Sequence, residues 1–230
     1  MTDIKAVLFD RDDTLSLTDR SVYRRAALWV QERFGIPAAD AAAHMLAQWA
    51  GVEGRWEHLR TLDDEERFWR AYAAELADRL GLGVEAGEEL VREWPYERFL
   101  VPVPAVQTVL AELRALGMKI GVLSNTLPNV AATLKAIGIA DLVDVAIASC
   151  TLGVHKPHPE AFTRAAELLG VPVEAVLFVD DRVENVDAAR ALGMQALLID
   201  HSGSTPGALH DLRGVVKYVN RAKPAAVPHR

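Results

Sequence analysis

The segment Ala6-Val7-Leu8-Phe9-Asp10-Arg11-Asp12-Asp13-Thr14-Leu15 runs an apolar stretch straight into three carboxylates. A short apolar run of this kind reads as a buried strand, and it cannot continue through the acids. Clustered carboxylates repel one another and are tolerated only beside a bound cation or water. Ligands of open α/β sheets bind at the C-terminal edge of the strands, so Asp10 and Asp12 point to metal and phosphate chemistry. A polar loop after a strand would explain any two of these acids, and the segment by itself leaves that alternative open.

Three further patterns follow in order. Ile120-Gly121-Val122-Leu123 is a second buried-strand run and ends in Ser124-Asn125-Thr126. Lys156-Pro157-His158-Pro159 opens a helix, and Val176-Leu177-Phe178-Val179 ends in the paired acids Asp180-Asp181. Taken together, over roughly residues 4–20 and 100–200, the chain resembles the haloacid dehalogenase-like superfamily of hydrolases. That family carries a D-x-D-x-T strand, a strand ending in Ser or Thr, a lysine, and a strand ending in paired acids.

The resemblance implies a phosphatase that cleaves a small phosphate monoester with the help of Mg²⁺. Phosphoryl transfer needs charge neutralisation, in-line placement and a proton donor for the leaving oxygen. In that scheme Asp10 is the nucleophile that forms an aspartyl-phosphate, and Asp12 is general acid and then general base. The implied metal ligands are the Asp10 carboxylate, the Asp12 backbone carbonyl and the Asp181 carboxylate. Ser124, Asn125 and Lys156 would hold the phosphate. Thr14, Asp180 and Asn185 would support these groups from behind. Asp13 stands where many relatives carry glycine and has a supporting or structural role. Arg11 interacts with the helical insertion described below, without an assigned mechanism.

Other chemistries on the same fold fit less well. A 2-haloacid dehalogenase would use the same aspartate on carbon, but such relatives generally lack the second acid and the magnesium site. Phosphosugar mutases often carry Val where Thr14 stands. A phosphonate-cleaving relative would need a lysine in the insertion, and there is none between Lys5 and Lys119. A non-catalytic binding protein would not need the intact acids.

The elements that must position these residues are legible from Pro102 onward, where strand-like and helix-like runs alternate. Pro104 suits a first helical position before a helix over Ala105 to Leu116, and Gly117, Gly138, Gly170 and Gly193 suit helix ends. With strands at Val145–Ala148, Val176–Val179 and Ala196–Ile199, the alternation implies a doubly wound parallel α/β sheet. Residues 17–98 look all-helical. Thr61-Leu62-Asp63-Asp64 resembles a capping box, and Phe68, Tyr72, Leu76 and Leu80 repeat every four residues. The expected organisation is an α/β core over 1–16 and 99–221, an inserted helical cap over 17–98, and a frayed tail over 222–230. All five tryptophans fall in the insertion, where most are expected in a helical core and one or two on a pocket. Arg24, His44, His58 and Arg60 are its candidate substrate contacts.

Composition narrows the partners. A net charge of −7 argues against nucleic acid, whose phosphates need a basic face. No apolar run is long enough to span a membrane, and Asp3, Asp10 and Asp12 interrupt any signal-like stretch. The single cysteine, Cys150, is expected to be a small buried side chain. The chain is therefore expected in the cytoplasm as a monomer or homodimer.

Overall fold

The computed structural model describes residues 3–52 and 54–222. From residue 223 onward, the expected tail lies outside the described residues. Five parallel strands form the main sheet: β1 (Ala6–Phe9), β4 (Lys119–Ser124), β5 (Val145–Ala148), β6 (Val176–Asp180) and β7 (Gln195–Leu198). Their order is β5-β4-β1-β6-β7. A separate antiparallel ribbon pairs β2 (Ser16–Thr18) with β3 (Leu100–Pro102).

The strand order reverses at β1, with β4 on one side and β6 on the other. Such a reversal leaves a crevice at the C-terminal ends of the central strands, where Asp10, Ser124 and Asp180 emerge. Along β1 the side chains alternate between two cores. Val7 and Phe9 pack with residues of α5 (Val106–Ala115), α6 (Val130–Ala136) and α10 (Arg213–Ala222). Ala6 and Leu8 pack with residues of α8 (Pro159–Leu169) and α9 (Val183–Ala191) on the other face. The short α7 (Ser149–Leu152) carries Cys150, which is buried and unpaired. Every residue of β1 is buried, as a strand covered on both faces requires.

Between the two ribbon strands lie four helices: α1 (Arg20–Phe34), α2 (Ala38–Ala50), α3 (Leu62–Leu80) and α4 (Val84–Glu93). Thr61 and Asp64 form the reciprocal capping box that starts α3. Phe68, Tyr72, Leu76 and Leu80 share one buried face in a third hydrophobic core. Helices α3 and α4 approach so closely that a Cβ on Gly87 would collide with the Ala73 carbonyl oxygen and the Ala77 methyl.

Several boundaries differ from the sequence expectation. Leu17 and Thr18, expected in the all-helical insertion, belong to β2, where they pair with β3, and β6 runs one residue further, to Asp180. Helix α5 begins at Val106, because Pro104 sits in a turn and Ala105 takes a left-handed φ of 64° that no helix can include. The last strand is Gln195–Leu198, one residue earlier than expected. No helix of the described residues is long and apolar enough to cross a membrane.

Candidate active site

Asp10 follows the last residue of β1, and its backbone N–H donates to the Val179 carbonyl of β6 at 2.9 Å, which fixes it at the sheet edge. The buried Lys156 ammonium donates to Asp10 Oδ1 at 2.6 Å and to Asp180 Oδ2 at 2.7 Å. Asp180 also accepts from the Arg182 backbone N–H at 2.8 Å and from Asn185 Nδ2 at 3.0 Å on each oxygen. Carboxylate oxygens of Asp10, Asp180 and Asp181 lie within 4.8 Å of one another. Of the three, Asp180 is the one tied down by lysine, amide and backbone donors.

The electrostatics follow from this crowding. Burial pushes the Asp10 carboxyl up, Lys156 pulls it back, and Asp180 and Asp12 push it up again, with a net rise. Burial and the neighbouring Asp180 carry Asp181 to about 6. Burial opposes charge on Lys156, but Asp10 and Asp180 outweigh it and hold the ammonium above its usual range. One cation thus faces three carboxylates, and burial together with their mutual repulsion raises Asp10 and Asp181 above the ordinary carboxylate range. Hard oxygen donors in that state suit a divalent cation.

Asp12 points elsewhere. Arg11, wholly buried, grips its carboxylate with Nε at 3.0 Å from Oδ1 and a terminal nitrogen at 2.7 Å from Oδ2. The same guanidinium donates to the hydroxyls of Tyr96, Thr126 and Thr133 at 2.8–2.9 Å. Burial works against its charge, yet Asp12 keeps it firmly protonated. Ser124 Oγ lies 3.4 Å from Asp12 Oδ2. Arg11 therefore links the first strand, the segment before β3, the loop after β4 and α6. Sequence reading placed Arg11 against the helical insertion but missed its hold on Asp12. The available signal was a cation between two acids at a strand end, where no solvent is at hand to satisfy it. Arg11→Met should leave Asp12 and three hydroxyls without their donor. The expected loss is about 2 kcal/mol of stability, tempered because the Asp12 side chain is 44% exposed. Urea denaturation with an unchanged midpoint would contradict this.

Asn125 is committed to a neighbour. Its Nδ2 donates to the Lys156 carbonyl at 2.8 Å, and its Oδ1 accepts from the Lys156 N–H at 3.0 Å. Its amide thus anchors the lysine loop to the end of β4. Thr14 is buried beneath the acids, its carbonyl 3.0 Å from His201 Nε2 and its hydroxyl without a partner among the described residues. Asp13 is exposed at φ 52°. Aspartate tolerates this left-handed conformation, which most residues avoid, and that explains why glycine suits the position.

A cavity of about 280 Å³ opens on the Asp12 side, between the four helices and the sheet edge. Asp12, Asp13, Asn125 and Thr126 form its floor, and four tryptophans, Trp49, Trp56, Trp69 and Trp94, line it. All five tryptophans pack against the helical core, as expected, and four of them also border the cavity, more than the one or two expected there. Arg24, His44, His58 and Arg60 do not line it.

Residues 4–193 match the family described as haloacid dehalogenase-like hydrolases. The chain is 36% identical over 227 residues to Phosphatase MT3486 of Mycobacterium tuberculosis (strain CDC 1551 / Oshkosh), covering 96% of this chain and 99% of that one. It is 30% identical over 203 residues to phosphoglycolate phosphatase of Yersinia pseudotuberculosis, covering 83% and 78%. The crystal structure of the L-2-haloacid dehalogenase RSc1362 superposes with a TM-score of 0.63 at 26% identity, covering 95% and 100%. Family match, full-length relatives and a shared fold, added to the acids, serine and lysine gathered at one sheet edge, establish that this chain belongs to the haloacid dehalogenase-like hydrolases.

Proposed function

We propose that the protein is a Mg²⁺-dependent cytoplasmic phosphatase that cleaves a small phosphate monoester through an aspartyl-phosphate on Asp10. The observation that carries this reading is the convergence of Asp10, Lys156, Asp180 and Asp181 on one buried point, with Asp12 beside it on the cavity.

An Asp10 oxygen attacks phosphorus as the ester P–O bond breaks, and Asp12 gives its proton to the departing alcohol oxygen. Asp12 then takes a proton from water, the water oxygen attacks phosphorus, and the Asp10–phosphorus bond breaks to release phosphate. Lys156 offsets the charge of both Asp10 and the incoming phosphate, acting as a fixed point charge. Ser124 Oγ and the Asn125 backbone N–H are the assigned phosphate donors, since the Asn125 amide is occupied by Lys156. Asp10, the Asp12 carbonyl and Asp181 would hold Mg²⁺, which supplies charge neutralisation at the phosphate oxygens. Asp180 and Asn185 keep Lys156 in place, and Thr14 supports the acid loop from below. Residues 17–98 act as a cap over the α/β core, excluding water from the cavity when they close.

Dehalogenation of a 2-haloacid by the same aspartate needs neither a second acid at Asp12 nor a metal carboxylate at Asp181, and both are present. Phosphate release from p-nitrophenyl phosphate with Mg²⁺, set against halide release from a 2-haloacid, decides between the two.

Mg²⁺ should raise the melting temperature by several degrees at millimolar concentration, since a ligand bound only to the native state stabilises it. Asp181→Asn should remove most of that rise. The pH dependence has a definite sign. In metal-free protein Asp181 titrates near 6, above its ordinary carboxylate value of 3.8. The folded state therefore binds more protons than the unfolded state in that window, and metal-free stability falls as pH rises through it. Protons and Mg²⁺ compete for the same oxygens, so the metal-induced rise should shrink as pH drops from 8 to 5. A rise that stays constant with pH, or survives in Asp181→Asn, would remove Asp181 from the ligand set.

A further inference from the structure

The cavity beside Asp12 is built from rings. Trp49 stacks on Trp69 (centroids 6.4 Å apart, planes 8° apart) and on Tyr96 (5.2 Å, 23°), and Tyr72 meets it edge-on at 6.4 Å. Met45, Leu76 and Leu90 are among the aliphatic side chains of the wall. No lysine, arginine or histidine among the described residues lines the cavity, and its only charges are the acids of its floor, Asp12 and Asp13. The two buried cations nearest the acids are both consumed. Arg11 is bound to Asp12 and three hydroxyls, and Lys156 to Asp10 and Asp180.

The geometry points to an uncharged, apolar alcohol portion as the occupant: we propose that this enzyme prefers aryl or arylalkyl phosphate monoesters to phosphorylated acids. The inference rests on the phosphatase reading of Asp10 and Asp12. It follows because the general acid marks the side from which the alcohol leaves, and Asp12 is the acid on the cavity floor. A carboxylate carried on that alcohol would lose water beside Asp12 and Asp13 and meet the negative faces of the rings, with no cation to pair it. An apolar ring gains from the same surroundings through burial and ring contacts. A quaternary ammonium would need rings spread around it. Here Trp49, Trp69, Tyr72 and Tyr96 pack on one another at 5.2–6.4 Å, as a wall.

The test compares esters whose leaving groups are all alkyl alcohols, so that the chemistry does not favour the ring. Benzyl phosphate, phosphoglycolate and phosphocholine are assayed with the Mg²⁺-loaded full chain, with p-nitrophenyl phosphate as a control for hydrolysis itself. The expected kcat/KM for benzyl phosphate exceeds the other two by at least tenfold. Trp69→Ala should compress that ratio, and the wild-type comparison stands if this variant fails to fold. Benzylphosphonate, which cannot be hydrolysed, should alter tryptophan emission saturably, because four of the five tryptophans line the cavity. Preference for phosphoglycolate or phosphocholine, or no discrimination, overturns the proposal while leaving the phosphatase reading intact. If no ester is hydrolysed, the phosphatase reading falls. In that case a saturable benzylphosphonate signal still supports an apolar ligand, and its absence overturns that too.

Discussion

Asp10→Asn is expected to lower turnover of every phosphate ester by about three orders of magnitude or more, the scale seen when a covalent nucleophile is removed. The change keeps the shape of the side chain and removes the attacking charge. It should not unfold the protein. Asp10 is held high in its titration by burial and by Asp180 and Asp12, so removing its charge relieves repulsion in the cluster. Lys156 loses one partner but keeps Asp180 at 2.7 Å. Activity and stability are therefore expected to separate: near-zero turnover with a melting temperature close to wild type in the absence of metal. Single-turnover phosphate release and thermal denaturation read the two independently. Retention of a tenth of wild-type activity would take the nucleophile away from Asp10.

The parts of this molecule that were legible in the sequence are those whose physics is local. A strand buried on both faces is a continuous apolar run, so β1, β4 and β6 announced themselves, together with the polar residues at which each one stops. The capping box of Thr61 and Asp64 and the four-residue repeat from Phe68 to Leu80 are likewise written in neighbouring residues. What was not legible depends on contacts distant in sequence. Arg11 lies next to Asp12 in sequence, but its other partners, Tyr96, Thr126 and Thr133, come from three separate segments. Asn125 looked like a phosphate donor because it follows Ser124. Only the fold brings the Lys156 loop close enough to take up its amide. The tryptophans show the same limit. Their concentration in the insertion marked them as residues of a helical core, and which of them also border a cavity is decided by how the helices sit on the sheet.

Asp12→Asn is expected to cost unequal amounts on different substrates, which distinguishes its role from that of Asp10. A general acid contributes about 10²–10⁴-fold when the leaving oxygen needs its proton. For benzyl phosphate, whose alkoxide is a poor leaving group, the loss should fall in that range. For p-nitrophenyl phosphate, whose phenolate departs with little help, the formation step should slow by only about tenfold. Water must still be activated in the second step, so aspartyl-phosphate should accumulate with the activated ester, and a burst of p-nitrophenol should precede slower turnover. Arg11 shapes this result. Its fork is matched to a carboxylate, and an asparagine presents one oxygen and one amide to two donors. The amide at position 12 is therefore expected to sit less firmly, and a modest drop in melting temperature should accompany the substitution. Arg11→Met tests placement separately: the carboxylate remains but loses its grip, so hydrolysis of benzyl phosphate should fall more than that of p-nitrophenyl phosphate, as in Asp12→Asn but less steeply. Equal losses on both esters in Asp12→Asn would rule out proton donation by Asp12, and an Arg11→Met enzyme with wild-type rates on both would show that the Arg11 grip has no part in placing it.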